Sequence, residues 1–188
     1  MSAFLLHLLR HGAPLLAGRL MGRTDCAPTP EGIADCVRQC EGLEITCLVS
    51  TDFLRTREAA SAIGSARGLP ISIDPRWREL DFGEWDGLPA ASVDAGALGR
   101  FWDDPDANPP PGGERWSSLA QRVGAAIAEL PAEPTLVVTH GGAMRAALSH
   151  LCGFGQRESW AFDLPYAALL SLRVWPGDRP SAQIVGLR

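Results

Sequence analysis

Two histidines, each closing an apolar run and each followed by glycine, are the chemically densest points of this chain: Leu8-Leu9-Arg10-His11-Gly12 and Val137-Val138-Thr139-His140-Gly141-Gly142. Arg55, early in the helix expected after a second apolar run, joins them. Arginine forks and the N–H groups of a helix N-terminus both suit a tetrahedral dianion, so Arg10, Arg55 and the His140-Gly141-Gly142 turn form a set shaped for phosphate. Strict strand alternation would send Arg10 and His11 to opposite faces, and a turn at Gly12 is expected to swing both toward one pocket.

The elements that must position these residues are legible as periodicity. Phe4 to Leu9, Cys47-Leu48-Val49-Ser50 and Leu136-Val137-Val138 read as buried strands, and Ile71-Ser72-Ile73 alternates as another. Thr29-Pro30-Glu31 marks a helix start, with Ile33, Cys36, Val37 and Cys40 at helical spacing and Gly42 as its stop. Thr51 to Arg67 reads as a helix ended by Gly68-Leu69-Pro70, and Glu114 to Leu130 as another, with Leu119, Val123, Ala126, Ile127 and Leu130 on one side. Met144, Ala147, Leu148 and Leu151 give a buried helix face ended by Gly153. Ala168 to Trp175 and Ala182 to Leu187 are strands around the turn Pro176-Gly177-Asp178, and such late strands can run antiparallel. Strands alternating with helices predict an α/β fold of three layers, a mostly parallel central sheet flanked by helices. In such sheets ligands collect at the carboxyl ends of the strands, which places both histidines at one rim.

Residues 75–113 break this rhythm with Trp77, Trp85, Trp102, many acids and Pro109-Pro110-Pro111-Gly112-Gly113. They are expected to form an inserted site wall or lid within a single domain spanning 1–188.

Composition excludes several partners. The 188 residues are 46% hydrophobic with six tryptophans, enough for a substantial core. The net charge is −5, and the basic residues are all arginine and form no stripe of the kind that tracks a nucleic-acid backbone, so no nucleic-acid partner is expected. Every apolar run is far shorter than a membrane span, and Phe4–Leu9 lacks the flanks of a signal peptide. Five cysteines without Cys-x-x-Cys fit a reducing compartment, so a cytoplasmic location is expected, and Cys36 and Cys40 are read as packing residues. His7, inside a strand, and His150, within a helix, are assigned no chemistry. No dinucleotide fingerprint, Walker loop, nucleophile elbow or tight metal-ligand cluster occurs, and neither a cofactor nor a metal is expected.

Together these motifs resemble the histidine phosphatases of the phosphoglycerate mutase-like superfamily, over nearly the whole chain. The resemblance is carried by Arg10-His11-Gly12, by Thr51-Asp52-Phe53-Leu54-Arg55-Thr56-Arg57-Glu58-Ala59-Ala60, by Glu79-Leu80-Asp81-Phe82-Gly83-Glu84-Trp85-Asp86-Gly87 and by Thr139-His140-Gly141-Gly142. Asp104-Pro105 followed by Pro111-Gly112-Gly113-Glu114 is similar to a further family segment. The resemblance implies a phosphoglycerate mutase-like fold and a metal-independent phosphomonoesterase. His11 is implied as the nucleophile that becomes phosphorylated, and Arg10, Arg55 and His140 as the phosphate clamp, with Gly141 beside it. Glu79 is implied as the general acid and base in preference to Asp81 and Glu84. The loop Ala13-Pro14-Leu15-Leu16 departs from the family pattern, which there carries Glu followed by Thr or Ser and then an Asn, so Arg23 and Thr24 stand as substitute phosphate contacts.

Gly22-Arg23-Thr24-Asp25, the Phe82-Gly83-Glu84-Trp85-Asp86-Gly87 run and Trp102-Asp103-Asp104-Pro105 look most like alpha-ribazole phosphatases. That implies alpha-ribazole 5'-phosphate, a precursor in cobalamin biosynthesis, as substrate, with Trp85, Trp102 and Trp116 available to stack on its base. The alternatives are another small phosphomonoester, a phosphohistidine protein, phosphoglycerate mutation and, from a different class, non-catalytic binding of a phosphorylated ligand.

Overall fold

A computed structural model describes residues 2–188. Six strands form one sheet in the order β3-β2-β4-β1-β5-β6: β1 (Phe4–Arg10), β2 (Cys47–Ser50), β3 (Ile71–Ile73), β4 (Thr135–Thr139), β5 (Leu169–Trp175) and β6 (Ser181–Leu187). The first four are parallel, while β5 and β6 are added antiparallel at the edge beside β1. Alternation along the strands feeds two cores. Leu6, Leu8 and Val137 face one side of the sheet, where α4 (Trp116–Ala128) and α5 (Gly141–Cys152) pack. Leu9, Leu136 and Val138 face the other, against α1 (Pro30–Gln39) and α2 (Leu54–Arg67).

This arrangement creates the crevice that holds the site. β1 and β4 are neighbours in register, Arg10 opposite Thr139, yet the chain leaves β1 toward α1 on one face and β4 toward α5 on the other. The backbone N–H of His11 donates to the Thr139 carbonyl at 2.9 Å, so His11 and His140 emerge side by side where the two connections diverge.

Residues 75–113 contain more regular structure than expected. Three short 3₁₀ turns are followed by a helix, α3 (Ala95–Asp103), whose N-cap Asp94 accepts from the Ala97 N–H at 2.8 Å. Gly96 and Gly99 lower its intrinsic propensity, and burial of Phe101 against Phe82 and Trp85 compensates. A further short helix, α6 (Gln156–Ser159), also lies outside the expected elements. Helix α2 begins at Leu54 rather than Thr51, because Asp25, remote in sequence, caps it by accepting the Leu54 N–H at 2.9 Å.

Cys36 and Cys40 lie in the core, where burial pushes their thiols up to about 12 and about 11. His7 is buried with Nδ1 2.8 Å from the Ser171 hydroxyl, and His150 is exposed. No described helix is long and apolar enough to cross a membrane.

Candidate active site

A cavity of about 240 Å³ opens at the carboxyl ends of β1 and β4. Of the residues singled out from the sequence, Arg10, His11, Arg55, Glu79, Trp102, Trp116 and Gly141 line it. His140 lies fully buried behind His11, with ring centroids 5.2 Å apart.

The tautomer of His11 is set by its backbone. Nδ1 lies 2.8 Å from the Gly12 carbonyl, an acceptor only, so Nδ1 carries the proton and Nε2 keeps its lone pair. Burial foremost, then the Arg55 and Arg10 guanidiniums, lower the His11 pKa to about 3, against the opposing pull of the Gly12 carbonyl. The ring is therefore neutral over the physiological range. Arg10 and His11 both reach the cavity as expected, and the glycine that follows them is demanded by packing. A Cβ there would meet the Gly32 carbonyl oxygen at 2.0 Å, so glycine is required by the close approach of α1, and φ stays negative.

Arg55 is held by three acceptors: Nη1 donates to the Thr24 carbonyl at 2.9 Å, Nη2 to the Met21 carbonyl at 3.0 Å and Nε to His140 Nδ1 at 3.3 Å. A guanidinium has five N–H donors, so two remain for a ligand. Because His140 Nδ1 accepts, its proton lies on Nε2, 3.3 Å from the Thr51 hydroxyl. Burial, then Arg55, His11 and Arg10, keeps this imidazole neutral as well. The Arg10 Nη1 donates to the Leu164 carbonyl at 2.5 Å, while its Nε is buried without a partner. An unpaired buried donor of this kind is costly unless a ligand completes it.

Glu79 reaches the N-terminus of α5. Oε1 accepts from the Leu80 N–H at 2.8 Å and Oε2 from the Gly142 N–H at 3.1 Å. A Cβ on Gly142 would lie 2.0 Å from Oε1, which explains a glycine at that point. The loop carrying Glu79 is fastened to α4 by Arg122, which donates to the carbonyls of Arg76, Arg78 and Glu79 and pairs with Glu114 at 2.8 Å. The rival carboxyls stand outside: Asp81 pairs with Arg23 at 2.5 Å, and Glu84 is exposed.

The structure does not bring Arg23, Thr24 or Trp85 into the cavity lining. The Arg23 side chain is 77% exposed, the Thr24 hydroxyl bonds to Asp86, and Trp85 is buried edge-on to Phe101 at 5.8 Å. The Gly22-Arg23-Thr24-Asp25 segment is a scaffold. Its first three N–H groups grip the Asp86 carboxylate, Asp25 caps α2, and the Thr24 carbonyl anchors Arg55. Burial pushes the Asp86 carboxyl up, and the Thr24 hydroxyl with those N–H groups outweighs it and holds the pKa below the usual value.

Sequence reasoning missed Arg145, Trp160 and Tyr166, all of which line the cavity. Tyr166 lies under the Arg10 guanidinium at 4.4 Å and 5.5 Å from the His11 ring. Arg145 had a signal: it falls three and four positions after Gly142 and Gly141, hence on their side of the helix, amid small apolar residues. Tyr166 and Trp160 had none, since they arrive from an irregular segment. Among the described residues no group of three or more His, Cys, Asp or Glu side chains is arranged to hold a metal ion.

Residues 6–185 match the family described as Histidine phosphatase superfamily (branch 1). Glucosyl-3-phosphoglycerate phosphatase of Mycobacterium tuberculosis is 33% identical over 168 residues, which is 79% of this chain and 75% of that protein. The native structure of a mycobacterial glucosyl-3-phosphoglycerate phosphatase superposes with a TM-score of 0.85 at 27% identity, covering 97% of both chains. A Yersinia pestis protein assigned as phosphoglycerate mutase GpmB is 34% identical over 161 residues, 78% of this chain and 74% of its own. An Escherichia coli chain described as a candidate alpha-ribazole-5'-P phosphatase shares the fold, with TM-score 0.80, 23% identity and coverage of 97% and 96%.

Proposed function

This chain belongs to the histidine phosphatase superfamily (branch 1), and within that family of phosphatases and mutases we propose that it is a metal-independent phosphomonoesterase acting through phosphohistidine at His11. The observation that carries this reading is the His11–Gly12 hydrogen bond, which leaves Nε2 unprotonated in a cavity shared with Arg10, Arg55 and Glu79. Nε2 attacks phosphorus while protonated Glu79 gives its proton to the departing ester oxygen, releasing the alcohol and leaving Glu79 ionised. The carboxylate then takes a proton from water as that water attacks phosphohistidine, which frees phosphate and restores both residues. Arg10, the two spare donors of Arg55 and the Gly141 N–H opening α5 stabilise the equatorial oxygens of the loose transition state, while His140, held between Arg55 and Thr51, positions Arg55 from behind. Residues 75–113 act as the wall of the site within a single domain.

For the substrate we infer a small phosphomonoester with a ring-bearing organic part, because Trp102, Trp116 and Trp160 surround the mouth. Alpha-ribazole 5'-phosphate fits that description, although Gly22–Asp25 and Trp85, which pointed to it in the sequence, serve as scaffold. A sugar-linked phosphoglycerate, of the kind named for the mycobacterial relative, fits as well, and the cation Arg145 favours it.

Two experiments test the reading. Rapid quench during turnover should trap acid-labile phosphate on His11, and EDTA should leave turnover intact. A steady-state panel of alpha-ribazole 5'-phosphate, glucosyl-3-phosphoglycerate, nucleoside monophosphates, sugar phosphates, 3-phosphoglycerate and a phosphohistidine protein should show a preference for a ring-bearing ester. Phosphoryl transfer within 3-phosphoglycerate at a rate exceeding hydrolysis would replace this reading with a mutase.

A further inference from the structure

The phosphoryl-transfer scheme leaves two cations of the cavity unused, the exposed Arg19 and the buried Arg145, and only Arg145 is built into the wall. It sits on α5, is only 9% exposed, and has no carboxylate within ion-pair distance among the described residues. Both protons of Nη1 are committed, to the Ser159 carbonyl at 2.5 Å and the Phe162 carbonyl at 2.9 Å. One face of the guanidinium lies 4.2 Å from the centre of the Trp160 ring. What remains is the in-plane edge formed by Nε–H and Nη2–H, two parallel donors without a protein partner among the described residues. A buried guanidinium without a paired carboxylate is costly: burial foremost and then Arg10 lower its pKa, against the weaker opposing pull of Glu79 and Asp163, neither of which is within ion-pair distance.

The position of this edge is constrained by the phosphate site. Arg10 donates to the Leu164 carbonyl and Arg145 to the Phe162 carbonyl, so both cations are moored to one segment, two residues apart. Two residues of chain span about 7 Å at most, so with the two hydrogen bonds added the guanidinium nitrogens lie within roughly 12 Å of each other, a gap that a short phosphorylated acid bridges. A planar fork with one face covered selects a planar, bidentate partner, which a carboxylate is.

We propose that Arg145, backed by Trp160, is the specificity site for a carboxylate carried on the organic part of the substrate, a few bonds from the phosphate ester. This rests on the phosphomonoesterase reading above, and it narrows the substrate class to phosphorylated hydroxy acids and their derivatives.

The test is competitive inhibition of p-nitrophenyl phosphate hydrolysis by two matched esters, 3-phosphoglycerate and glycerol 3-phosphate, which differ by a carboxylate against a hydroxymethyl group. For the unaltered protein 3-phosphoglycerate should bind at least tenfold more tightly. Arg145→Gln should collapse that ratio to about threefold or less, and Arg145→Lys, which keeps charge but loses the fork, should fall between. A ratio near one in the unaltered protein, or one that persists in Arg145→Gln while both inhibition constants rise together, would overturn the proposal and leave Arg145 as an anchor of the 159–162 segment. The phosphomonoesterase reading fails separately, if p-nitrophenyl phosphate is not hydrolysed or if His11→Ala still hydrolyses it.

Discussion

The floor and the mouth of the cavity are built on different principles. The floor residues His11, Arg55 and Glu79 are each locked by backbone groups: the Gly12 carbonyl, the carbonyls of Met21 and Thr24, and the N–H groups of Leu80 and Gly142. At the mouth, Trp102 and Trp160 meet edge to face at 5.0 Å, and each is about two-fifths exposed. Backbone locks do not depend on side-chain packing and preserve geometry to a fraction of an ångström, which chemistry requires. Side-chain contacts between α3 and the segment after α5 can be remodelled without disturbing the floor. One scaffold can therefore keep one reaction and change its substrate.

Variants at the floor should depress turnover on every ester, and variants at the mouth should redistribute preference. His11→Ala is expected to have the largest effect, a loss of about four powers of ten or more in kcat on aryl and alkyl phosphates alike. Substrate-dependent loss of kcat in that variant, measured at saturation, would break the division between floor and mouth. Glu79→Gln should lower single-turnover phosphorylation by an alkyl phosphate about 10²- to 10⁴-fold while sparing p-nitrophenyl phosphate, whose leaving group needs little protonation. Equal losses on both would remove Glu79 as the proton donor. Trp102→Ala should act mainly on KM, raising it roughly fivefold for a ring-bearing ester, about 1 kcal/mol of lost stacking, with little change for glycerol 3-phosphate. A uniform rise for both esters would mean that the mouth shapes access and not preference.

The same division explains what could be read in the sequence. The strands, the long helices and the two histidine turns are local patterns, and His11, Arg55 and His140 sit at strand ends or helix starts, whereas Glu79, in an irregular loop, is marked only by the resemblance to the histidine phosphatases. Helix α3 was obscured by Gly96 and Gly99, because its stability comes from Phe101 packing against residues of another segment. Arg23 and Thr24 misled for a related reason. A polar loop beside a phosphate motif offers donors, but which way they point is decided by Asp86, some sixty residues away. Tyr166 and Trp160 reach the cavity only through the path of the chain between α5 and β5, which no periodicity marks.

The remaining expected effect is on stability and leaves turnover aside: it concerns what the buried floor costs in acid. His11 is neutral when folded, its pKa lowered to about 3 by burial first and then by Arg55, whereas in the unfolded chain it titrates near 6.5. Between those values the unfolded state binds a proton that the native state does not, so stability is lost as pH falls below 6.5, at about 1.4 kcal/mol per pH unit for this one group. His140, lowered for the same reason, adds a contribution of the same sign. Denaturant unfolding at pH 6.0 and 4.5, a window above the ordinary aspartate range, should therefore show a fall in stability, and the fall should shrink by about 2 kcal/mol in His11→Asn. If His11→Asn leaves that fall unaltered, His11 is protonated in the folded protein throughout that range, and a neutral nucleophile held ready by Gly12 is the wrong description of the floor.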